Sequence, residues 1–536
     1  MIIRKNIPKA LALNEPIRHN SHRRPVSRRD FISQGFMTGT ATVFATPLLA
    51  ALLKPGTAYA DAALANQVVQ DLDPNGLCGI TQGAGKIPFI AFDLSGGANI
   101  AGSNVLVGTN GGQLNFLSTA GYSKLGLPGN MIPNASTTGN TFINSNYGLA
   151  YHSDSAHVRG MALTAVTAGP NTNGFVIPAM SQNDTQNNPH NPMYGIARIG
   201  ARGQFLTLIG SVNSDSGGSS MAPVSMVDLA IRPTTITQPR DATGLADTGS
   251  LSTLFPTSAS TAAVMESIER LSLAKLNVTN TKLGDALQDA AIKQQVDCGY
   301  TKAAYMAAYF DSPAALDPTK DPNVTKIFAP VGGIGADGEF AKTATIMKLV
   351  IDGMAGAGTI QMGGFDYHTG DRSSGEARDF RAGICIGACL EYAAAVGKPV
   401  MIYVFSDGSL NSNGMIDNST GGRGKGVWTG DNQSTACSYA LVYNPLHRAS
   451  PIKTTLSAIE GPQLGSFQMS GDVNSAGSPA ANSVTALVDM VLLNYLALHG
   501  EQGKFAALFP TSPLVGQIDT WTAFNPIVTG TVPNYV

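Results

Sequence analysis

Short apolar runs that end in glycine turns recur along the chain. Residues 88–93 (PFIAFD) lead into two glycines, residues 358–362 lead into the segment 363–368 (GGFDYH), and residues 399–405 lead into residues 406–408 (SDG). Apolar runs of this length, without polar alternation, indicate buried strands, and the glycines indicate the turns that end them. The sequence therefore predicts three buried strands.

Helical periodicity separates these strands. Residues 339–354 place apolar side chains on one face, and a second helix is predicted from about residue 375 to residue 396. Helices and apolar strands in direct succession imply right-handed crossovers and a parallel sheet covered on both faces. A strand at residues 438–443 and a helix at about 484–499 would complete the sheet and one face. The sequence thus predicts an α/β fold with a mostly parallel sheet.

The rest of the chain is harder to interpret. Helices near residues 261–276 and 283–308 predict a helical insertion or cap spanning about 255–330, whereas residues 101–250 are loop-rich and receive no assigned element. No linker, repeat or charge-biased segment divides residues 61–536, which favours one large α/β domain. Their roughly 475 residues exceed the usual single-core limit of about 250–300, so two domains remain the alternative.

The first sixty residues resemble an export signal. Residues 27–32 (SRRDFI) contain the paired arginines of a twin-arginine (Tat) signal, and a moderately apolar segment leads to the cleavage site Ala58-Tyr59-Ala60. A membrane anchor is the alternative, but glycine, threonine and Pro47 make this segment a poor span. We therefore expect recognition by the Tat translocase, cleavage, and a periplasmic or secreted protein. No later stretch is long and apolar enough to predict a transmembrane anchor after cleavage.

Composition narrows the range of functions. The chain is 13% charged with a net charge of −2, which predicts no basic face for nucleic acid or anionic lipid. The five cysteines show no C-x-x-C spacing, and Cys385 and Cys389, one helical turn apart, are interpreted as buried hydrophobes with a redox pair as the alternative. The absence of a dinucleotide fingerprint, a haem motif or a cluster-binding cysteine run predicts no organic cofactor.

Three predicted strands end in an acidic residue near glycine: Asp93, Asp366 and Asp407. Ligands of open parallel sheets bind outside the carboxyl ends of the strands, so these carboxylates would converge if the strands are neighbours. Clustered carboxylates repel one another unless a cation neutralises them, and His368 is placed to add a nitrogen ligand. The sequence therefore predicts a divalent-metal site, with ordinary turn chemistry as the alternative for each aspartate.

The same motifs carry a family resemblance. A Tat signal, DLSGGAN after the first strand, GGFDYH, and a strand ending in FSDG resemble a largely uncharacterised family of exported bacterial proteins in the alkaline phosphatase and sulfatase-like superfamily. Its typical members carry an R-G-G-x-D turn, G-G-W-D-x-H and S-E-F-G-R. The match covers the signal, residues 86–110 and residues 340–435. It implies a hydrolase of phosphate or sulfate esters that uses one or two divalent metals.

The resemblance assigns roles to individual residues. It implies metal ligation by Asp93, Asp366, His368 and Asp407, with Asn99 where typical members carry a second acidic residue. It also places His190 at the mouth of the site. The candidates for a nucleophile are Ser216 and Ser95, and an ordinary loop or turn is the alternative for each.

The chain departs from the family's pattern in one place. Residues 421–428 (GGRGKGVW) replace a histidine-bearing T-D-H-G motif, and no histidine lies between His368 and His447. A zinc pair built on several histidines is therefore disfavoured, and calcium, magnesium or manganese suits the remaining ligands better.

Two functional classes remain open after this resemblance. The first is a hydrolase acting on a small anionic ester or a surface polymer. The second is a non-catalytic binding or assembly protein on the same fold, which the missing histidine and the abundance of Asn, Gly and Ser favour. His152 and His157 lie on either side of Asp154, which could suggest a metal site, but they are interpreted as exposed loop histidines. Arg378 and Arg381 share a helix face that could reach an anionic substrate, but a solvated face is the preferred interpretation. Asp431 could serve as a carboxylate ligand or a sugar-binding group, with an Asx turn as the preferred interpretation.

Overall fold

The computed structural model describes residues 62–75, 78, 85–136, 139–181, 189–212, 221–228, 231, 233–245, 258–279, 282, 285–309, 313–368 and 370–536. The predicted export signal, residues 1–60, lies outside the described residues, as does the candidate nucleophile Ser216. Both therefore stay predictions.

The described chain contains thirteen strands and twelve α-helices. The strands are β1 Phe89–Leu94, β2 Asn134–Ser136, β3 Gly139–Thr141, β4 Ile143–Asn144, β5 Tyr151–His152, β6 Thr172–Pro178, β7 Leu206–Gly210, β8 Thr234–Thr235, β9 Ala355–Met362, β10 Val400–Phe405, β11 Leu410–Asp417, β12 Lys425–Asp431 and β13 Cys437–Tyr443. The α-helices are α1 Ala62–Leu72, α2 Thr119–Lys124, α3 Ala156–Thr164, α4 Met193–Arg198, α5 Pro239–Leu245, α6 Ser258–Val278, α7 Ala286–Tyr309, α8 Pro322–Phe328, α9 Gly338–Ile351, α10 Ser373–Val396, α11 Val484–Leu498 and α12 Phe505–Leu508.

Seven of these strands form one central sheet in the order β6-β13-β10-β1-β9-β7-β8. The five strands from β10 to β8 are mutually parallel, and β13 is antiparallel to both β10 and β6. Parallel strands need a long crossover, whereas a chain that stays at one edge returns antiparallel. The hairpin β11–β12 follows β10 directly, so β13 begins at the edge where β10 ends and runs back beside it.

The central sheet is covered on both faces. On one face Phe89 and Tyr403 belong to an apolar core with Leu492 of α11 and Met193 of α4. On the other face α9 packs against β9, and α10 packs against β10 and β13. Every residue of β1 and β10 is buried, as expected for central strands of a parallel sheet.

The strands and helices predicted for the central sheet and its covering layers are confirmed. The predicted strands correspond to β1, β9, β10 and β13, and the predicted helices correspond to α9, α10 and α11, with ends within a few residues. The α/β class and the mostly parallel sheet are thereby confirmed. Strands β6, β7 and β8 lie in the region to which the sequence assigned no element.

The described chain separates into two compact units by its internal contacts. One unit comprises the described residues within 1–80 and 246–312, and the other comprises those within 81–245 and 313–536 and contains the central sheet. In the first unit α1, α6 and α7 pack together, and a disulfide joins Cys78 to Cys298. Cys385, Cys389 and Cys437 are free and buried, which confirms the interpretation of the first two as buried hydrophobes.

One feature of the helices bears on membranes. Among the described residues, no helix combines the length and the apolar character needed to cross a bilayer. The most apolar of the long helices, α11, is instead buried along its whole length against the sheet. Its amino terminus is capped by Ser483, whose Oγ accepts a hydrogen bond from the N–H of Ala486 at 3.2 Å.

Candidate metal site

The three strands that precede the predicted carboxylates are neighbours. β1 lies between β9 and β10 and runs parallel to both. Asp93, near the end of β1, is opposite Gln361 of β9 and Phe405 of β10. The segments that carry Asp366 and Asp407 therefore leave the sheet at the same carboxyl edge. The condition on which the sequence prediction depended, adjacency of the strands, is met.

Gly96 brings the turn after β1 against both of the other segments. Its N–H donates a hydrogen bond of 2.7 Å to Oδ1 of Asp407. A Cβ at this position would lie 2.6 Å from the backbone nitrogen of Asp366, and φ is +121°. Only glycine combines that close approach with that backbone conformation. The glycine turn predicted after the first strand thus allows the segments that carry Asp366 and Asp407 to approach the end of β1 closely.

Three side chains that could hold a metal ion meet at this edge. Nε2 of His368 lies 2.7 Å from Oδ1 of Asp366 and 3.6 Å from Oδ1 of Asp431. One ligand atom from each residue lies within 4.8 Å of the other two. All three side chains are partly exposed, so water has access to the group. Among the described residues, no other set of three His, Cys, Asp or Glu side chains is as closely grouped.

Asp431 reaches the group because the hairpin β11–β12 is bonded to the segment after His368. The N–H of Gly370 donates to the carbonyl of Trp428 at 3.1 Å, and the N–H of Trp428 donates to the carbonyl of Asp371 at 3.1 Å. Asp431, three residues later, is the last residue of β12. The sequence pattern favours an Asx turn for Asp431 over a ligand role, because nothing in that pattern indicates which loop the hairpin contacts.

The other predicted ligands lie deeper than this group. Asp93, Asp407 and Asn99 are fully buried, whereas Asp366 is about half exposed. Asp407 accepts the Gly96 hydrogen bond, and Nδ2 of Asn99 donates to the carbonyl of Leu410 at 2.9 Å. The structure therefore brings together Asp366 and His368 of the predicted set, and adds Asp431. Metal ligation by the three buried residues stays a prediction.

The described candidates for catalysis are also buried. Ser95 is 2% exposed. Its N–H donates a hydrogen bond to the carbonyl of Met362 at the end of β9, and its carbonyl accepts one from the N–H of Phe365. His190 is likewise buried and stacks on the ring of Phe405, with centroids 5.9 Å apart. Because Phe405 is opposite Asp93 in the sheet, His190 lies on the same face as Asp93. Neither Ser95 nor His190 belongs to the exposed group.

A buried hydrogen-bond network holds Tyr367, the residue between Asp366 and His368. The hydroxyl of Tyr367 accepts a bond from the N–H of Asn99 at 3.1 Å and donates to Oδ1 of Asp379 at 3.0 Å. Nδ2 of Asn104 donates to Oδ2 of Asp379 at 2.7 Å. Burial raises the pKa of Asp379 to about 7, and the charge of Glu376 adds to the effect.

Buried ion pairs hold the hairpin against helix α10. Oε1 of Glu376 accepts bonds of 2.9 Å from both Arg372 and Lys425, and Lys425 is fully buried. Arg372 also stacks on the ring of Trp428, 4.3 Å from its centroid. Burial acts to raise the pKa of Glu376, but the two cations outweigh it and hold that pKa below its usual value.

Two histidines prove to be buried rather than exposed. The interpretation of His152 and His157 as exposed loop residues is wrong, because both have no exposed surface. Nδ1 of His157 bonds to the hydroxyl of Tyr439 at 3.1 Å, and the ring of His152 stacks on Phe142. Burial lowers the pKa of His152 to about 4 and that of His157 to about 3. Residues distant in the sequence bury both side chains, so the polar residues next to them did not predict their burial.

Arg378 lies against the glycines of the central motif. A Cβ at Gly364 would be 2.0 Å from Nη1 of Arg378, so the guanidinium group packs directly on the backbone of this turn. Within the described part of the chain Arg378 forms no ion pair, and the side chain is half-buried. Among the described residues, this cation therefore has no carboxylate partner, and it contacts a glycine two positions before Asp366 in the chain.

Comparison with known proteins yields no match. No protein-family model, no curated protein and no solved structure matches the chain. The resemblance to alkaline phosphatase and sulfatase-like proteins therefore stays an expectation from short motifs. The protein belongs to the α/β class, with a seven-stranded, mostly parallel sheet and a group of two carboxylates and one imidazole at the carboxyl edge of that sheet.

Proposed function

We propose that the protein is an exported, metal-dependent hydrolase of phosphate or sulfate esters, with Asp366, His368 and Asp431 as the protein ligands of the metal. The observation that carries this proposal is the grouping of these three side chains within 4.8 Å at the carboxyl edge of the sheet. Open α/β sheets bind their ligands at that edge. Export is proposed from the arginine pair and cleavage motif of residues 1–60.

The donor set fits a divalent cation. Two carboxylates and one imidazole are ligands that manganese, zinc, magnesium and calcium accept, and the imidazole favours manganese or zinc. The partial exposure of all three groups leaves room for water or an ester oxygen in the remaining coordination positions. A bound ion would polarise the ester and lower the pKa of a coordinated water.

The position of Arg378 favours an anionic substrate. Its guanidinium lies against Gly364, two residues before Asp366 in the chain, and forms no ion pair within the described residues. A planar guanidinium matches two oxygens of a phosphate or sulfate group. We assign Arg378 the role of binding and orienting the ester, while His368 and the two carboxylates hold the metal.

The proposal is tested by metal titration of the mature protein. Wild-type protein should bind one equivalent of Mn²⁺ or Zn²⁺ by calorimetry and hydrolyse phenyl phosphate or phenyl sulfate in its presence. Asp366→Ala, His368→Ala and Asp431→Ala should each weaken binding at least tenfold and reduce turnover. Asp519→Ala, which removes an exposed carboxylate outside the group, is the matched control. Wild-type protein that binds neither metal, or variants that bind as tightly as wild type, would refute the proposed ligands.

A non-catalytic metal-binding protein is the second candidate. It is favoured by the burial of Ser95 and His190, because neither of these two described candidates for catalysis belongs to the exposed group. In that case the same titration would show metal binding that depends on Asp366, His368 and Asp431. No turnover of either ester would accompany it.

A further inference from the structure

A cleft opens directly beside the candidate metal site. Its volume is about 510 Å³, and its described lining residues are Met180, Ser181, Ser409, Asp431, Asn432, Gln433 and Ser434. Asp431 belongs both to this lining and to the group with Asp366 and His368. A molecule in the cleft would therefore have one end at the metal-binding group and its body among the other lining residues.

The lining is neutral and rich in hydrogen-bonding groups. Apart from Asp431, its described members are three serines, an asparagine, a glutamine and Met180. No described lining residue is basic or aromatic. A polyanionic body would find no cation among these residues, and a lipid or aryl body would find Met180 as the one apolar side chain of the described lining. A body that carries hydroxyl groups matches this lining, because amide and hydroxyl side chains both donate to and accept from hydroxyls.

Some of this hydrogen-bonding capacity is already used within the protein. Oγ of Ser409 bonds to Oγ1 of Thr435 at 3.0 Å, and Oδ1 of Asn432 accepts from the N–H of Ser434 at 3.0 Å. These bonds hold the 3₁₀ turn Gln433–Thr435 that forms one wall of the cleft. The wall is therefore fixed before any ligand arrives.

Other groups of the lining remain available to a ligand. Within the described part of the chain, neither Nδ2 of Asn432 nor the side-chain amide of Gln433 takes part in a hydrogen bond. Ser181 is 3% exposed, and its Oγ is a buried hydroxyl for which the described residues provide no partner. A buried polar group left unsatisfied costs about 1–3 kcal/mol, and a ligand hydroxyl would remove that cost.

We propose that the ester group is carried by a neutral sugar, so that the substrate class is a monosaccharide or short glycan phosphate or sulfate. This inference rests on the proposed function, because it describes the body of the ester hydrolysed at Asp366, His368 and Asp431. The cleft binds the sugar hydroxyls through Ser181, Asn432 and Gln433. Water adds to phosphorus or sulfur, the bond to the sugar oxygen breaks, and that oxygen takes a proton from the water, which releases free sugar and inorganic phosphate or sulfate.

The test compares esters that differ in their body. Glucose 6-phosphate and glucose 6-sulfate are measured against phenyl phosphate and phenyl sulfate, with the Mn²⁺-loaded mature protein. A site that pairs with substrate hydroxyls discriminates against analogues that lack them. The sugar esters should therefore have kcat/KM at least tenfold higher than the phenyl esters. A ratio near one, or a preference for phenyl esters, would overturn the sugar inference and leave the hydrolase intact.

Two substitutions locate the preference in the cleft. Ser181→Ala and Gln433→Ala should each reduce the ratio of sugar-ester to phenyl-ester kcat/KM at least threefold, with unchanged affinity for Mn²⁺. Gln468→Ala, an exposed glutamine outside the lining, is the matched control and should leave the ratio as in wild type. A ratio that neither cleft variant changes would also overturn the inference.

A binding measurement separates this inference from the proposed activity. Calorimetry with metal-free protein should detect glucose 6-phosphate and show weaker binding to Gln433→Ala, but not to Gln468→Ala. Binding of the sugar ester without turnover, in a protein that also binds no Mn²⁺, would refute the hydrolase and leave a sugar-ester binding cleft. Absence of both sugar-ester binding and sugar-ester turnover would refute the inference.

Discussion

The hydroxyl of Tyr367 donates a hydrogen bond of 3.0 Å to Oδ1 of Asp379, a carboxyl group buried in helix α10. Tyr367 stands between Asp366 and His368, so this bond ties both candidate ligands to the helix that covers the sheet. Asn104 donates to the second oxygen of Asp379 at 2.7 Å. The exposed group is thus supported by a buried one, as precise ligand geometry requires.

We expect Asp379→Ala to destabilise the fold. The substitution leaves the Tyr367 hydroxyl and the Asn104 amide without their acceptor in a buried region, at about 1–3 kcal/mol for each unsatisfied group. The free energy of unfolding, from urea titration monitored by circular dichroism, should fall by about 2 kcal/mol or more. Asp519→Ala, at an exposed position, should change it by less than about 0.5 kcal/mol. Equal midpoints for the two variants would contradict a supporting role for Asp379.

We expect the stability contribution of Asp379 to depend on pH. Its pKa is raised from 3.8 to about 7, so between these values the folded protein holds a proton that the unfolded chain has released. Raising the pH through this window therefore lowers the stability of the wild type. Asp379→Asn has no group to ionise and should lose less stability between pH 4 and pH 7.5. Urea midpoints of both proteins across this range give the comparison, and parallel curves would contradict the raised pKa.

We expect Glu376→Gln to be among the most destabilising isosteric changes in the chain. It leaves the cations of Arg372 and Lys425 buried with their principal anion removed, a loss of about 3–5 kcal/mol for a broken buried pair. Asp289→Asn removes a carboxylate from the partly exposed pair with Lys293 and should cost less than about 1 kcal/mol. Thermal and urea unfolding of both variants measure the difference. A Glu376→Gln protein as stable as the control would show that the buried pairs contribute little.

We expect reduction of the Cys78–Cys298 disulfide to loosen the helical unit formed by α1, α6 and α7. The bond joins residues 220 positions apart, and its loss should cost about 2–5 kcal/mol. Limited proteolysis with and without dithiothreitol should show faster cleavage within residues 246–312 on reduction. The double variant Cys78→Ser/Cys298→Ser should be cleaved under both conditions as fast as the wild type in dithiothreitol. Identical cleavage of oxidised and reduced wild type would contradict the prediction.

The sequence by itself determined the local elements of the central sheet. Residues 88–93 and 399–405 are apolar without alternation, and only burial on both faces accommodates such runs, so β1 and β10 were predictable. Gly96 was predictable as a turn residue for a similarly local reason. β6, β7 and β8 were missed because polar or glycine residues interrupt their short runs, and pairing with neighbouring strands supplies what propensity does not.

Which side chains meet was decided by the tertiary structure. Asp366 and His368 are two residues apart, so one loop conformation groups them, and the sequence indicated the pair. Asp431 joins them only because the backbone of β12 bonds to residues 370–371, a contact between segments about sixty positions apart that no local pattern encodes. The depth of Asp93 and Asp407 was likewise set by the packing of the layers. Periodicity reports the environment of a residue along its own element, whereas a site depends on distances between elements.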